Sequence, residues 1–229
     1  MIVRMGVLQR RPDMSFDAFR RHWREGHGPL AARLPGLRRY EQNPVVDRSQ
    51  LAIDHARGGW DVDGFSALWF DDLRAMRAAV ASPEFAPTVP DVARFIGGIK
   101  LVVCEPNVVV PVARDAEPPV KRMSILRRRP DIDPARFRRE WFGFHAEAVS
   151  RFPGLAGYTQ NLVLERGADL WNPAPYDEVP IDGIVEMWFP SKAALEAAFR
   201  SRDAEVSQRH ALDFIAEITT FLVEPHRVI

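Results

Sequence analysis

The sequence predicts an α+β protein made of two βαββαβ repeats whose sheets pack face to face as an eight-stranded barrel. The chain contains an internal duplication, since residues 5–43 and 123–161 align without a gap and are identical at 18 of 39 positions. Both copies have the same order of strand and helix patterns, and their later strands are apolar on both faces. A period of 118 residues has the size of a small domain and exceeds that of a solenoid unit. We therefore expect repeats at 1–106 and 120–229, a linker at 107–119, and related sites in both copies.

Each copy begins with a short strand rich in β-branched residues and continues into an amphipathic helix. The second helix has the clearer start, because Asp133 is suited to the N-cap and Pro134 to the first helical position. Apolar residues then recur at three- and four-residue steps, which is typical of a helix with one buried stripe. These residues are Phe16, Phe19, Trp23, His27, Leu30 and Leu34 in the first copy, and Phe137, Trp141, His145, Val149 and Phe152 in the second.

The rest of each copy is predicted as strand, long loop, strand, helical region and strand. In chain order, the predicted strands are 2–8, 37–46, 65–70, 99–104, 120–126, 155–164, 184–189 and 218–223, with later helical stretches starting near 73, 92, 193 and 208. This order implies a four-stranded antiparallel sheet with both helices on one face. The other face would expose an apolar surface, so we expect the two sheets to close on each other. A barrel of this size can hold one modest ligand inside.

The composition indicates which partners and which compartment to expect. Thirty-one basic residues balance 31 acidic residues, so we expect no nucleic-acid or membrane partner. The single cysteine, Cys104, cannot form an internal disulfide and fits a reducing, cytoplasmic compartment. The longest apolar runs are far shorter than a membrane span.

Three motifs that occur in both copies resemble the EthD family. In the first copy they are Phe19-x-x-x-Trp23-x-x-x-His27, Pro35-Gly36-Leu37-x-x-Tyr40, and Asp63-Gly64 followed by Trp69-Phe70. The resemblance implies the ferredoxin-like fold of the dimeric α+β barrel superfamily. It also implies that the fused pair is a covalent pseudo-dimer, because members of the family are mostly single-copy homodimers. Related barrels include isomerases, cyclases, cofactor-free monooxygenases and haem-binding proteins, so the fold alone does not choose a reaction.

His27 and His145 are the first candidate catalytic residues. Imidazole titrates near neutrality, so a half-buried histidine can move protons. A methylisomerase among the related barrels has a catalytic histidine at the matching place, whereas a hydrogen-bonded core histidine is the alternative. Tyr40 and Tyr158 follow the Pro-Gly-Leu turn and are candidate donors to an oxyanion, or tyrosines with only the hydroxyl exposed.

Glu186 distinguishes the two copies, because its counterpart is Ala67. It alternates in phase with Ile184 and Trp188, and a carboxylate among apolar neighbours can serve as an acid or base. The alternative is an ion pair with an arginine such as Arg122 or Arg127. Because the second copy keeps His145, Tyr158 and Glu186, we expect a single working site to lie there.

Three further residues are candidate ligand contacts. His55 occurs only in the first copy's long loop, and Trp69 and Trp188 occupy equivalent third strands, where a core role is the commoner alternative. The spacing of His, Cys and acidic residues indicates no metal site. No nucleotide-binding fingerprint is present, so we expect no cofactor, although a haem on His27 or His145 stays open by analogy.

The sequence therefore favours a cofactor-free enzyme of the isomerase, cyclase, dehydratase or decarboxylase type. Its ligand is expected to be a small hydrophobic oxygenated compound such as a lactone, polyketide or aromatic degradation product. The alternative is a non-catalytic ligand-binding protein or an accessory protein of an oxygenase or catabolic pathway. We expect either a monomeric pseudo-dimer or a homodimer of it.

Overall fold

The computed structural model describes residues 1–113 and 120–229 and has nine strands and two sets of helices in that part of the chain. The strands are β1 Ile2–Arg10, β2 Arg39–Asp47, β3 Gly64–Phe70, β4 Ile96–Val110, β5 Val120–Arg128, β6 Gly157–Gly167, β7 Gly183–Phe189, β8 Ile215–Val223 and β9 His226–Arg227. The α-helices are α1 Phe16–Arg21, α2 Gly28–Ala31, α3 Leu73–Val80, α4 Thr88–Phe95, α5 Pro134–Glu140, α6 Ala146–Ser150, α7 Lys192–Phe199 and α8 Arg202–Ala211. Short π-helical turns, His22–His27 and Trp141–His145, join α1 to α2 and α5 to α6.

The predicted start signals are used locally. Ser15 and Asp133 cap α1 and α5, each by accepting a hydrogen bond from the backbone N–H three residues later. Gly36 and Gly154 both have φ of 72°, a left-handed conformation that favours glycine and turns the chain from the helix into β2 and β6.

Eight strands form a closed barrel in the order β3-β1-β4-β6-β7-β5-β8-β2, and β2 also pairs with β3. One junction between the repeats is long, because β4 pairs antiparallel with β6 from Leu101 to Val110. The other is divided in two, since β2 pairs with β8 at Val45 and with β9 at Glu41 and Gln42. The prediction of an α+β fold with an eight-stranded barrel is confirmed.

The barrel interior is a packed core shared by the repeats. Phe65 of the first repeat packs edge-on against Phe221 of the second, with ring centroids 5.5 Å apart. Each repeat packs its helices on the outer face of its own strands, where separate apolar clusters form. Residues of both repeats line the interior: Val3, Met5, Val7, Ala67, Trp69, Val102, Cys104, Met123, Ile125, Val163, Ile184 and Val223.

Two local predictions differ from the structure. The last helix, predicted at 208–216, is α8 at Arg202–Ala211, because Ser201 caps it and residues from Ile215 onward already belong to β8. The first part of the predicted linker, 107–110, continues β4 and pairs with β6. Residues 114–119 of that linker lie outside the described residues.

None of the helices in the described ranges combines the length and the apolar character that crossing a bilayer requires.

Candidate functional site

Each repeat has a small cavity between the outer face of its strands and its helices. The first cavity is lined by His27 and Tyr40, and the second by His145 and Tyr158. Each measures about 50 Å³, which is room for a few water molecules. The expectation of a ligand pocket inside the barrel is wrong, because large apolar and charged side chains fill that interior.

Both predicted histidines lie at the end of the widened segment that joins two helices; in the second repeat this segment is kinked at Gly143, whose φ of −89° and ψ of −117° are not helical. In the first repeat the N–H of Gly28 donates to the carbonyl of Trp23, five residues earlier, and Gln42 Nε2 donates to the same carbonyl at 2.7 Å. Such turns are rare and often occur at functional sites. Here the wider turn brings the histidine at its end onto the face that lines the cavity.

The two tyrosines line the cavities, and their hydroxyl oxygens accept hydrogen bonds from neighbouring side chains. The Tyr40 hydroxyl accepts hydrogen bonds from Trp23 Nε1 at 3.1 Å and Gln42 Nε2 at 3.2 Å. Tyr158 accepts from Gln160 Nε2 at 2.7 Å. With an N–H already directed at the oxygen, the O–H proton is left to point elsewhere. Burial raises the pKa of Tyr40 to about 12 and also raises the pKa of Tyr158, so both phenols stay protonated at neutral pH.

His145 is a half-buried imidazole whose surroundings favour the neutral form. Burial, together with the nearby His210 and His55, lowers the pKa of His145 to about 3. Its Nδ1 is buried without a hydrogen-bond partner. The His210 ring lies 5.8 Å away, centroid to centroid, and His210 Nε2 lies 3.4 Å from Glu140 Oε2. The hydrogen-bonding capacity of this nitrogen is therefore unmet within the described part of the chain.

His27 has a different environment in the first cavity. Its Nδ1 lies 3.0 Å from one oxygen of Asp91, and His22 Nε2 lies 2.9 Å from the other. Burial lowers the pKa of His27, although Asp91 opposes that shift. At the equivalent positions of the second repeat, His210 replaces Asp91 and Glu140 replaces His22. Asp91 therefore contacts His27 directly. In the second repeat the acidic residue, Glu140, contacts His210 and not His145, so no described carboxylate is a partner of His145.

Each cavity also contains an arginine on the first strand of its repeat, Arg4 and Arg122. Arg122 is 1% exposed, and its guanidinium lies 4.2 Å from the Phe199 ring centroid. Its Nε and Nη1 have no hydrogen-bond partner within residues 1–113 and 120–229. Burial lowers the pKa of Arg4 to about 10 and that of Arg122 to about 9.

The long loop of each repeat crosses to the other repeat and covers its cavity. In the first-repeat loop, Gln50 Nε2 donates to the carbonyl of Ile218 at 2.7 Å, and Ile53 lines the second cavity. In the second-repeat loop, Leu170 lines the first cavity and Trp171 packs edge-on against Phe85 at 5.4 Å. Neither cavity is complete within one repeat.

His55 lies in the loop that covers the second cavity, not the first. It lines an outer cleft of about 800 Å³ that shares Phe199 and Gln208 with that cavity. Burial lowers the pKa of His55. The structure therefore places this histidine close to His145, in the repeat opposite to its own.

Glu186 is not brought together with His145 and Tyr158, because it lies on the other face of the sheet. Its Oε1 is 2.6 Å from Lys121 Nζ inside the barrel, and its Oε2 accepts from Asn161 Nδ2 at 3.0 Å. The predicted alternation of Glu186 with Trp188 is correct, but that face points into the barrel. An ion pair is present as the alternative interpretation expected, with a lysine in place of an arginine.

Lys121 joins two carboxylates and a ring in this interior. It is fully buried, lies 3.0 Å from Glu41 Oε2, and stands 4.9 Å from the Trp188 ring centroid. Trp69, the other tryptophan candidate, also belongs to the interior core. Burial opposes the charge on Lys121, but the two carboxylates outweigh it and raise its pKa. This network links strands of both repeats inside the barrel, and its members line neither cavity.

No cluster of three or more His, Cys, Asp or Glu side chains suited to a metal ion occurs within residues 1–113 and 120–229.

Sequence reasoning missed Arg122 as a cavity residue and His210 altogether. Both residues could have been found by comparing aligned positions of the two repeats. Arg122 repeats Arg4, and a charge repeated on a strand that otherwise reads as apolar is a signal. His210 aligns with Asp91. An imidazole in one repeat at the position of a carboxylate in the other marks a place where the two sites differ.

The fold is an α+β barrel, and each repeat has a small cavity between its strands and its helices. The EthD domain model matches residues 11–99 and 129–218. An anthrone oxidase-like protein is similar over 99% of this chain and 92% of its own, with 12% identity and a TM-score of 0.66. A "putative monooxygenase" from Lactobacillus acidophilus is similar over 100% and 94%, with 11% identity and a TM-score of 0.58. An EthD family protein from Bacillus halodurans is 24% identical over 46% of this chain and 98% of its own, with a TM-score of 0.38. We found no curated protein that matches the sequence.

The chain belongs to the EthD family, as a member with two EthD domains in tandem. The resemblance found in the three motifs is therefore confirmed.

Proposed function

We propose that the chain is a cofactor-free enzyme that moves a proton on a small hydrophobic oxygenated compound in the second cavity. The observation that carries the proposal is the shared lining of that cavity by His145, with an unpartnered Nδ1, and Tyr158, with a free O–H proton. Candidate substrates are lactones, polyketides and aromatic degradation products.

The proposed step is removal of a proton from the carbon next to a carbonyl group. Neutral His145 accepts the proton, and the electron pair of the broken C–H bond moves toward the carbonyl oxygen. Tyr158 donates a hydrogen bond to that oxygen as its negative charge develops. Return of the proton from His145 to another carbon completes an isomerisation, and ring closure or loss of a leaving group gives cyclisation or elimination. The negative charge that develops beside the imidazole favours its protonated form, which offsets the effect of burial.

In the first cavity the matching imidazole nitrogen is not free to act in this way. Asp91 holds His27 Nδ1 there, so that nitrogen is already engaged. Glu186 does not enter the proposed step, because a sheet separates it from the cavity. The names of two structural neighbours refer to oxidation of small compounds, which supports the proposed substrate class and leaves the reaction type to experiment.

A second candidate function is non-catalytic binding of the same class of compound. The volume limits both functions, since a cavity of about 50 Å³ is below the roughly 300–1,000 Å³ that is typical of ligand pockets. A larger compound would have to displace the covering loop.

Exchange of carbon-bound hydrogen for deuterium tests the proposed step without knowledge of the natural substrate. The protein is incubated in D₂O with a panel of small lactones, cyclic ketones and enolisable aromatic ketones, and exchange is followed by proton NMR. We expect wild type to accelerate exchange in at least one compound and His145→Gln to lose roughly 10²-fold or more of that rate.

The matched control is His27→Gln, which changes the same residue type in the first cavity and should keep the rate. Equal exchange by wild type and His145→Gln would contradict the assignment. Compounds that raise the melting temperature of wild type without any exchange would instead favour the binding function.

A further inference from the structure

Arg122 is a buried cation that no described side chain neutralises. It lies on β5, opposite Met187 and Leu222, and it lines the second cavity. Two of its guanidinium nitrogens are buried without a hydrogen-bond partner, and no carboxylate in the described ranges forms an ion pair with it.

The residue before it shows how this chain treats a buried cation that has only a structural role. Lys121 points into the barrel and is held by Glu41, Glu186 and the side-chain oxygen of Asn43. Arg122 points to the opposite face, where its guanidinium carbon lies 4.2 Å from the centroid of the Phe199 ring. Leaving a buried charge unpaired destabilises the fold. A site that tolerates this cost is suited to receive a partner from outside the chain.

We propose that the second cavity binds a small organic anion, with the guanidinium of Arg122 receiving a carboxylate or an enolate. The inference rests on the proposed function and names the charge of its substrate. A guanidinium can hold both oxygens of a carboxylate through parallel hydrogen bonds. The Tyr158 O–H adds a donor, and the neutral imidazole of His145 does not compete for the anion. The hydrocarbon part meets an apolar lining formed by Val149, Phe152, Val185, Met187, Ile215 and Ile218.

The outer cleft adjoins the second cavity and is lined by further basic side chains. The cleft shares Phe199 and Gln208 with the cavity, and Arg200, Arg202 and Arg209 line it. Two carboxylates, Asp54 and Glu205, share this lining, so the basic side chains remain in excess. Phe199 therefore lies between the cleft and the guanidinium that it covers.

The first cavity repeats the arrangement with Arg4, Tyr40 and Ser66. No described carboxylate pairs with Arg4, and burial alone lowers its pKa. Two related anion sites per chain follow from the duplication. The covering loops and the histidine partners differ, so we expect the two sites to differ in affinity.

Pairs of ligands that differ only in charge test the inference. Acetate is compared with acetamide, and benzoate with benzamide, at constant ionic strength, by isothermal titration and by the shift in melting temperature. We expect wild type to prefer the carboxylate in each pair, and Arg122→Met to weaken its binding at the second site roughly 10- to 100-fold. Arg4→Met should remove the first site and leave the second.

The matched control is Arg127→Met, which removes a half-exposed arginine of the same strand whose partner is Glu217. It should leave carboxylate binding unchanged. Equal binding of acid and amide by wild type, or unchanged binding in Arg122→Met, would overturn the inference. Arg122→Met should also melt at a higher temperature than wild type in the absence of anions, because the unpaired charge is gone; a lower melting temperature would contradict the premise that Arg122 is unneutralised.

This inference and the proposed function fail in different ways. Carboxylate binding through Arg122 with normal exchange in His145→Gln would refute the catalytic assignment and keep the anion site. Loss of exchange in His145→Gln without any preference for carboxylates would keep the catalytic assignment and refute the anion site.

Discussion

Lys121 is the residue whose replacement best tests how the barrel interior is held together. The two carboxylates beside it, on Glu41 and Glu186, are almost completely buried. In the first repeat the equivalent positions of Lys121 and Glu186 are Val3 and Ala67. The chain thus contains its own apolar version of the pair, and the test is to transfer it: Lys121→Val, Glu186→Ala, and the double variant.

The magnitude follows from the loss of a buried cation. Burial opposes the ionisation of Glu41, but Lys121 and Arg39 outweigh it and lower its pKa from 4.5 to about 2. A difference of that size corresponds to about 3 kcal/mol of stability at neutral pH. Removing one partner of a buried ion pair costs about 3–5 kcal/mol, so Lys121→Val should lower the free energy of unfolding by about that amount. For a chain of this size the melting temperature would fall by about 6–20 °C.

The double variant should recover part of the lost unfolding free energy, because Glu186→Ala removes one of the two buried carboxylates that Lys121→Val leaves without their lysine partner. Urea unfolding of wild type, both single variants and the double variant gives the coupling energy, which we expect to reach about 1–3 kcal/mol. The pH dependence has a definite sign. Because the pKa of Glu41 is lowered in the folded state, its contribution is complete above the unfolded value of 4.5 and is lost as the pH falls toward 2. The gap between wild type and Lys121→Val should therefore narrow in acid.

Two results would refute this reasoning. One is a Lys121→Val variant within about 0.5 kcal/mol of wild type at pH 7, which is the range of ordinary surface substitutions. The other is a double variant no more stable than Lys121→Val alone.

Three further predictions concern the second repeat. A methyl group on Gly183 would overlap the Trp141 ring, so Gly183→Ala should lower the free energy of unfolding by about 1–3 kcal/mol, whereas Gly59→Ala, with open space around it, should be neutral by urea unfolding. Because the pKa of His145 is lowered to about 3, its contribution to stability is complete above pH 6.5 and falls by about 2 kcal/mol at pH 5. His145→Gln should therefore flatten the plot of unfolding free energy against pH between these values. An unchanged slope would show that another group causes the loss of stability in acid. Tyr158→Phe should lower the turnover of any substrate found by deuterium exchange by roughly 10²-fold or more, and retention of the full rate would remove Tyr158 from the mechanism.

The fold was accessible from the sequence because its signals are local and occur twice. The helical stripe of Trp141 and His145 and the strand alternation around Glu186 depend only on residue spacing, and the structure has both. The position of α8 was not accessible in the same way, because much of its length is polar and its start depends on a single cap, Ser201.

The location of the site needed the tertiary structure. Alternation says which residues share a face of a strand, but not which face meets the helices and which meets the other sheet. His145 and Tyr158 were correctly paired because both come from the helix-facing side. Glu186 was grouped with them because its strand is adjacent, although its side chain points the other way. Lys121 and Arg122 are adjacent in sequence. Only the orientation of β5 shows that Lys121 points into the barrel, where it is paired, and that Arg122 points to the second cavity, where no described carboxylate pairs with it.

The crossed loops have a consequence for how the two halves can change. In a pair of identical chains, any substitution in the loop would appear above both cavities at once, so the two would be forced to evolve in step. Joined in one chain, the loop that bears His55 serves a single cavity, and its counterpart bearing Leu170 serves the other. Within one chain the two cavities can therefore diverge independently, while each repeat depends on the other for the loop that covers its cavity.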